Sequence, residues 1–268
     1  MFAPTGSFNF RDVGGLPAAA GTQVAAGTLY RSGNLDGLTD EGWRQLGDLG
    51  VRTVVDLRLP QEVAGRPETA DRAGFVLHRI PMWGGEPGDA VLTRMTADSD
   101  PPFDGSPGER TPAGALRAFA AAKVRAYEQI VTREGAAVGA AVRVLAEPDA
   151  LPAVVHCAAG KDRTGLVVAV VLRLLGVPEH AVMTDYLRSR GGVSPTRLAR
   201  YETELTRLGI PLASFVPVYA AYPAGLRAAL AVIESGWGSV RGYLEGPGGV
   251  PAEALDGLRE RLTAAAHP

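Results

Sequence analysis

His156-Cys157-Ala158-Ala159-Gly160-Lys161-Asp162-Arg163-Thr164-Gly165 decides how the rest of this chain is read. Leu151-Pro152-Ala153-Val154-Val155 precedes it, a short apolar run that predicts a buried strand. Leu166 to Leu175 follows, apolar except for Arg173 and stopped by Gly176 and Pro178, which predicts a buried helix. A strand that feeds a glycine-containing loop and then a helix presents backbone N–H groups and the positive end of a dipole to an anion. Here the loop opens on the single cysteine of the chain and closes on an arginine.

These residue types in this order suit phosphate ester chemistry. An ordinary thiol, with a pKa of about 8.5, is mostly protonated at neutral pH, whereas one at a helix N-terminus beside arginine falls to about 3.5–7.5. Cys157 is therefore the candidate nucleophile. The backbone from Ala158, Ala159, Gly160, Lys161 and Asp162 to Arg163 is the candidate cradle for phosphoryl oxygens, with the Arg163 fork matching two of them. Thr164 is placed to hydrogen-bond the sulfur and help it leave, and Gly160 and Gly165 permit close backbone approach. A lone cysteine is otherwise a common buried structural thiol. The Cys-x5-Arg spacing with His156, Gly160 and Thr164-Gly165 argues for the nucleophile.

The whole-chain numbers narrow the class. The 268 residues, 46% hydrophobic and 21% charged, suit one domain over 1–268 with an ample core. A net charge of −2 suggests neither a nucleic-acid groove nor a polybasic membrane anchor. Met1 to Pro17 lacks a basic and then apolar leader pattern, and the apolar run after Gly165 is too short for a bilayer. One cysteine excludes an internal disulfide and suits a reducing, cytoplasmic setting, with non-classical export left open. His78, His156, His180 and His267 are scattered without ligand spacing, so neither metal nor cofactor is expected. Of 27 basic residues only Lys123 and Lys161 are lysine. Codon bias explains such a skew in general, but it makes the lysine inside the loop less of a chance surface choice.

Along the chain, strands are predicted at Gly27–Ser32, Val51–Leu57 and Gly74–Ile80, with a helix at Thr39–Leu49 capped by Thr39 or Asp40. Residues 84–111 are rich in Gly, Pro, Asp and Thr without periodicity, the composition of a lid or an insertion. Helices are predicted from Pro112 to about Val131, at Gly135–Ala146, Glu179–Arg188, Pro195–Leu208, Ala224–Ser235 and Pro251–Ala265. The fold class is α/β: a central, mostly parallel sheet flanked by helices, with a possible helical lid insertion over about 84–131.

His156 to Gly165 resembles the signature HCxxGxxR[ST]G of cysteine-dependent protein-tyrosine and dual-specificity phosphatases. Asn9-Phe10-Arg11-Asp12-Val13-Gly14-Gly15, Tyr30-Arg31-Ser32, Val55-Asp56-Leu57-Arg58 with Glu62, Asp185-Tyr186-Leu187-Arg188 and Gly238-Ser239-Val240-Arg241-Gly242-Tyr243-Leu244 are similar to one atypical bacterial branch that includes lipid phosphatases. The resemblance covers most of the chain outside 84–111. It implies metal-independent hydrolysis in two steps, through a phosphocysteine on Cys157, on a phosphorylated protein or a phospholipid. It also implies an acid within the loop, Asp162, which would otherwise cap the helix or steady Arg163. Glu86, Asp89, Asp98, Asp100 and Asp104 are alternative acids. Lys161 resembles the loop lysine of phosphoinositide phosphatases and is expected to meet a second phosphate. His156, Asp12, Arg31 and Arg58 are expected to support the loop, Asp185 to pair with an arginine, and Tyr186 to pack. A sulfurtransferase, an arsenate reductase, a dedicated inositol phosphate phosphatase and a non-hydrolytic phosphate-binding module are the competing classes. A helical cover over Cys157 would shield a thiol that has no second cysteine to resolve its oxidation.

Overall fold

A computed structural model describes residues 2–64, 74–84, 111–192, 198–199 and 201–266. Its strands are β1 (Arg11–Asp12), β2 (Thr22–Val24), β3 (Leu29–Ser32), β4 (Thr53–Asp56), β5 (Val76–Arg79), β6 (Ala153–His156) and β7 (Thr263–Ala265). Five of them form one sheet in the order β1-β3-β6-β4-β5, and β2 pairs with β7 apart from it. β1 is antiparallel to β3, while β3, β6, β4 and β5 run parallel. This is the α/β architecture with a mainly parallel sheet that the apolar runs predict.

The helices are α1 (Asp40–Asp48), α2 (Pro60–Val63), α3 (Pro112–Arg133), α4 (Gly135–Ala146), α5 (Asp162–Leu174), α6 (Glu179–Arg188), α7 (Glu202–Arg207), α8 (Leu212–Tyr219), α9 (Pro223–Trp237), α10 (Val240–Glu245) and α11 (Ala252–Leu262). Side chains along the inner strands alternate between two apolar layers, as the period of two requires. Tyr30, Val54 and Val154 join Phe10, Trp43 and Leu46 under α1. Leu29, Val55, Ala153 and Val155 join the larger core on the other face. α5 is the axle of that core, buried at every position from Arg163 to Leu172. It packs against the sheet and against α4, α6, α9 and α10, so a helix apolar on all sides has apolar partners on all sides.

A third apolar cluster stands apart. The first half of α3 (Ala115, Phe119) meets Tyr201, Leu205, Ile210 and Phe215, while its second half (Tyr127, Ile130, Val131) belongs to the main core. The 84–131 lid region therefore divides: 85–110 lies outside the described residues, and the far end of α3 is fixed structure. Leu212–Trp237 is apolar enough by length and composition to cross a membrane. It is interrupted between Tyr219 and Pro223, however, and Leu226, Ala229, Leu230 and Ile233 of α9 are buried in the main core.

One charged network ties the antiparallel edge of the sheet to α6. Asp185 takes Arg11 Nε at 2.7 Å on one carboxylate oxygen and Arg31 Nη1 at 2.6 Å on the other. Arg11 also donates to Ser189 Oγ and to Asn9 Oδ1. All three charged side chains are at most 4% exposed. Burial and the neighbouring Arg31 hold the Arg11 guanidinium down to about 10.

Several local expectations change. The final helix stops at Leu262, because Thr263–Ala265 extends to satisfy the edge of β2. Helix α8 is not apparent from its sequence, since Pro211 and Pro217 both read as breakers; Pro211 precedes the first turn and Pro217 lies one turn from the end. The Pro195–Leu208 helix is recognisable at 198–199 and as α7, with 193–197 and 200 outside the described residues.

Burial pushes the Asp185 carboxyl pKa up, and Arg31 and Arg11 more than reverse this, leaving it below the usual carboxyl range. Its stabilisation is then present above the unfolded carboxyl pKa and is lost as the pH falls through the lowered folded value. Asp185→Ala is expected to cost about 3–5 kcal/mol in urea unfolding at neutral pH, because two guanidiniums stay buried. That deficit should narrow below about pH 4. A variant with an unchanged neutral-pH midpoint would show that the network is not the tie described.

Candidate active site

Strand β6 delivers Cys157 at its carboxyl end, in the middle of the sheet between β3 and β4. In open α/β sheets ligands bind at such carboxyl-end crevices. Three successive loop carbonyls are drawn away from the centre. Ala158 O accepts from the Asn34 N–H at 3.3 Å, and Ala159 O from Asn9 Nδ2 at 3.0 Å. Gly160 O accepts from Asn9 Nδ2 at 2.9 Å and from Arg31 Nη2 at 3.0 Å. With the carbonyls engaged outside, the loop N–H groups are left for the concave side, and those of Ala159 and Thr164 already bond the Cys157 sulfur. Lys161, at the N-cap of α5, makes no side-chain cap bond, so the helix start keeps orphan donors for an anion. Gly160 has φ +64°, and a Cβ there would sit 2.2 Å from Ser32 O, so only glycine fits.

Cys157 is buried and forms no disulfide. Burial raises its pKa, but Arg163, the Thr164 hydroxyl and the two N–H groups outweigh burial and bring the thiol below its ordinary value. Thr164 Oγ1 is buried with no oxygen or nitrogen partner, which leaves it for sulfur. Arg163 Nη1 donates to Leu57 O at 3.1 Å and Met82 O at 3.3 Å. Its Nη1 and Nη2 form a two-point contact with Glu62 at 2.5 and 2.7 Å. Glu62 is itself held by the Leu59 N–H at 2.8 Å, in the first turn of α2. The Arg163 bonds run through Nη1 and Nη2, and Nε lies beside Gly84, where a Cβ would come within 3.3 Å of it, so Nε and the second Nη2 hydrogen form the fork that matches a phosphate.

Asp162 sits at the mouth, its side chain 30% exposed. Tyr127 donates its hydroxyl to Asp162 Oδ1 at 2.8 Å, and Lys123 Nζ lies 3.7 Å from the same oxygen. Lys161 Nζ is 3.4 Å from Oδ2. Behind Tyr127, Tyr186 Oη lies 2.6 Å from Tyr127 Oη and accepts from the Tyr222 N–H. Since Tyr127 spends its proton on Asp162, Tyr186 must donate to Tyr127, so the chain runs one way and ends on Oδ1. Burial pushes the Asp162 carboxyl up, and Lys161, Lys123 and Tyr127 outweigh it and hold the group low.

The supporting residues are placed unequally. Arg31 reaches the loop itself. Burial lowers the His156 pKa, which keeps it neutral; Nδ1 has no hydrogen-bond partner and stands 3.8 Å from Asp56 Oδ1. Arg58 bridges Asp56 and Asp36, behind His156 rather than at the loop. Asp12 is away from the loop, accepting from the Gly14 and Gly27 N–H groups and closing the turns around β1. Lys161 Nζ donates to Tyr219 O at 2.6 Å and lies 4.3 Å from the Tyr219 ring centre, so it faces the end of α8. Glu86, Asp89, Asp98, Asp100 and Asp104 fall outside the described residues. Among the described residues no three His, Cys, Asp or Glu side chains gather as a metal site.

Sequence reasoning passed over Asn9, Lys123, Tyr127 and Tyr186 as members of the site. Lys123 carried a signal in being one of two lysines in the chain. Tyr186 carried one in standing within Asp185-Tyr186-Leu187-Arg188, whereas Tyr127 carried none, because a tyrosine on the apolar face of a helix reads as core.

Comparison with known proteins agrees with this geometry. A family model described as the tyrosine phosphatase family matches residues 3–264. The chain is 33% identical to the triple specificity protein phosphatase PtpB of Mycobacterium tuberculosis, over 91% of this chain and 92% of that one. It is 31% identical to a protein of Cupriavidus necator named as a candidate tyrosine-protein phosphatase, over 88% and 80% of the two chains. It is 29% identical to a tyrosine-protein phosphatase of Nostoc commune, over 92% and 78%. With the family model spanning nearly the whole chain and a relative 33% identical over most of both chains, the chain belongs to the tyrosine phosphatase family.

Proposed function

We propose that this phosphatase works through a phosphocysteine on Cys157 and that Asp162 handles the leaving-group proton. The carbonyl ties of Asn9, Arg31 and Asn34 carry the reading, because they preorganise loop amides around the sulfur without help from substrate. The thiolate attacks phosphorus, the ester P–O bond breaks, and the departing oxygen takes the proton of Asp162. Water then attacks the phosphocysteine, the P–S bond breaks, and Asp162 takes the proton of the water. Thr164 donates to the leaving sulfur. The first step needs Asp162 protonated in a site that favours its carboxylate, and the charge of a bound phosphate dianion supplies the opposing push.

The substrate reading is phosphotyrosine together with phosphoinositides. The name of the mycobacterial relative, triple specificity protein phosphatase, supports more than one substrate class. Lys161 supports a second phosphate, provided that its ammonium leaves Tyr219 O for the ligand. The helical cluster at the end of α8, against which Lys161 rests, is the candidate cover in this reading.

Hydrolysis of para-nitrophenyl phosphate is expected without added metal and should fall about a thousandfold or more in Cys157→Ser. Retention of turnover in that variant, or no phosphate release from any aryl phosphate by the wild type, removes the phosphocysteine. Asp162→Asn is expected to slow phenyl phosphate, a poor leaving group, by about 10²–10⁴ and para-nitrophenyl phosphate much less. Equal losses on both would move the acid elsewhere. Lys161→Ala should lower the ratio of phosphoinositide to phosphotyrosine-peptide turnover about tenfold, the worth of one charged contact. An unchanged ratio removes Lys161 from substrate selection.

A further inference from the structure

Lys123 and Lys161 are the two lysines of a chain whose other cationic side chains are arginine. They lie 38 positions apart in sequence, on α3 and on the loop, yet both ammoniums flank the carboxylate of Asp162. Both also grip the same piece of backbone. Lys161 donates to Tyr219 O, and Lys123 donates to Tyr219 O at 3.2 Å and Ala220 O at 2.9 Å. Arginine would satisfy carbonyls as well as lysine does, and with more donors. What lysine adds is a compact charge that can be given up near neutral pH when it is buried.

The two lysines address different oxygens. Oδ1 has Lys123 and the end of the tyrosine chain beside it, whereas Oδ2 has Lys161 and takes no part in the tyrosine chain. We propose that Lys123 is a positioning residue for the leaving-group proton: it fixes Oδ1 inward, leaves Oδ2 to carry the proton, and sets the pH at which Asp162 gives that proton up. This rests on Asp162 acting as the acid.

The surroundings allow such a role. Among the described residues, the titratable and charged groups facing Lys123 are Asp162 and Lys161 on the loop, Tyr127 one turn along α3, and the Tyr222 ring at 5.9 Å. Burial lowers the Lys123 pKa, Asp162 opposes and Lys161 adds to the fall, and the result is about 7. The ammonium is therefore present below neutral pH and lost above it. While charged it favours the carboxylate of Asp162; once neutral it lets Asp162 hold a proton more strongly. The pair titrates as a unit, which flattens the response of the acid to pH.

The test compares the alkaline limb of the kcat profile for phenyl phosphate in wild type, Lys123→Met and Lys123→Arg, with para-nitrophenyl phosphate in parallel. Removing the charge should carry the phenyl phosphate limb upward by about one pH unit, the usual effect of one opposite charge at this distance. The permanent charge of arginine should leave the limb at or below that of the wild type. A structural role alone would lower both substrates together and move neither limb. Lys123→Met with an unshifted limb, or with the same shift on both substrates, overturns the proposal. Asp162→Asn, run alongside, separates the failures. If it erases the leaving-group dependence while Lys123→Met moves nothing, Lys123 alone is misassigned. If it changes nothing, the acid is elsewhere and the proposal for Lys123 falls with it.

Discussion

Everything at this site depends on where three carbonyl oxygens point. A peptide unit that turns its C=O outward turns its N–H inward, and Asn9, Asn34 and Arg31 hold the carbonyls of Ala158, Ala159 and Gly160 outward. The donors come from the other end of the chain, about 150 positions away in the case of Asn9. Asn9 adopts φ 55°, a left-handed conformation that asparagine tolerates better than most residues. Its side-chain oxygen is held in turn by Arg11, and Arg11 and Arg31 are held by Asp185. The buried network that ties the edge of the sheet to α6 is the same one that aims the loop. Stability and preorganisation are not separable here.

Six cationic side chains around the loop each have a carboxylate partner, six cations against five carboxylates. Arg11 and Arg31 share Asp185, Arg58 sits between Asp36 and Asp56, Arg163 rests on Glu62, and Lys123 and Lys161 share Asp162. That is why a net charge of −2 carries no sign of an anion site. In the proposed mechanism the pull on phosphate comes instead from directed groups: loop amides, the start of α5 and Arg163. Dipoles and N–H groups held in place need no reorganisation when charge develops.

The parts of this design that follow a short-range rule were legible in the sequence. The central strands β4 and β6 announce themselves as β-branched runs, α5 as an apolar run with stop signals, and Cys157 and Arg163 by spacing. Thr39 caps α1 as its type predicts, accepting from the Gly42 N–H. What failed to show was whatever depends on a distant partner. Thr263–Ala265 has no local reason to leave the helix; it extends because β2 needs an edge. Asp12 stands inside a motif that suggests the loop, yet its carboxylate accepts from the Gly14 N–H and, 15 positions away, from the Gly27 N–H. Tyr186 looks like a packing residue because its hydroxyl partner is on another helix.

Asp162 brings these threads together, because the role proposed for it and its surroundings pull in opposite directions. A carboxyl group assigned a proton in that mechanism is set among two ammoniums and a tyrosine donor, all of which favour the anion. These neighbours favour an ionised Asp162 and hold it through Oδ1. In the proposed mechanism the phosphate brings negative charge close to the carboxylate, and proton affinity rises there. An acid protonated only when substrate is present does not need a pKa tuned to neutrality in the free enzyme. It needs a carboxylate that cannot turn away, and the one-way chain from the Tyr222 N–H through Tyr186 and Tyr127 supplies that restraint.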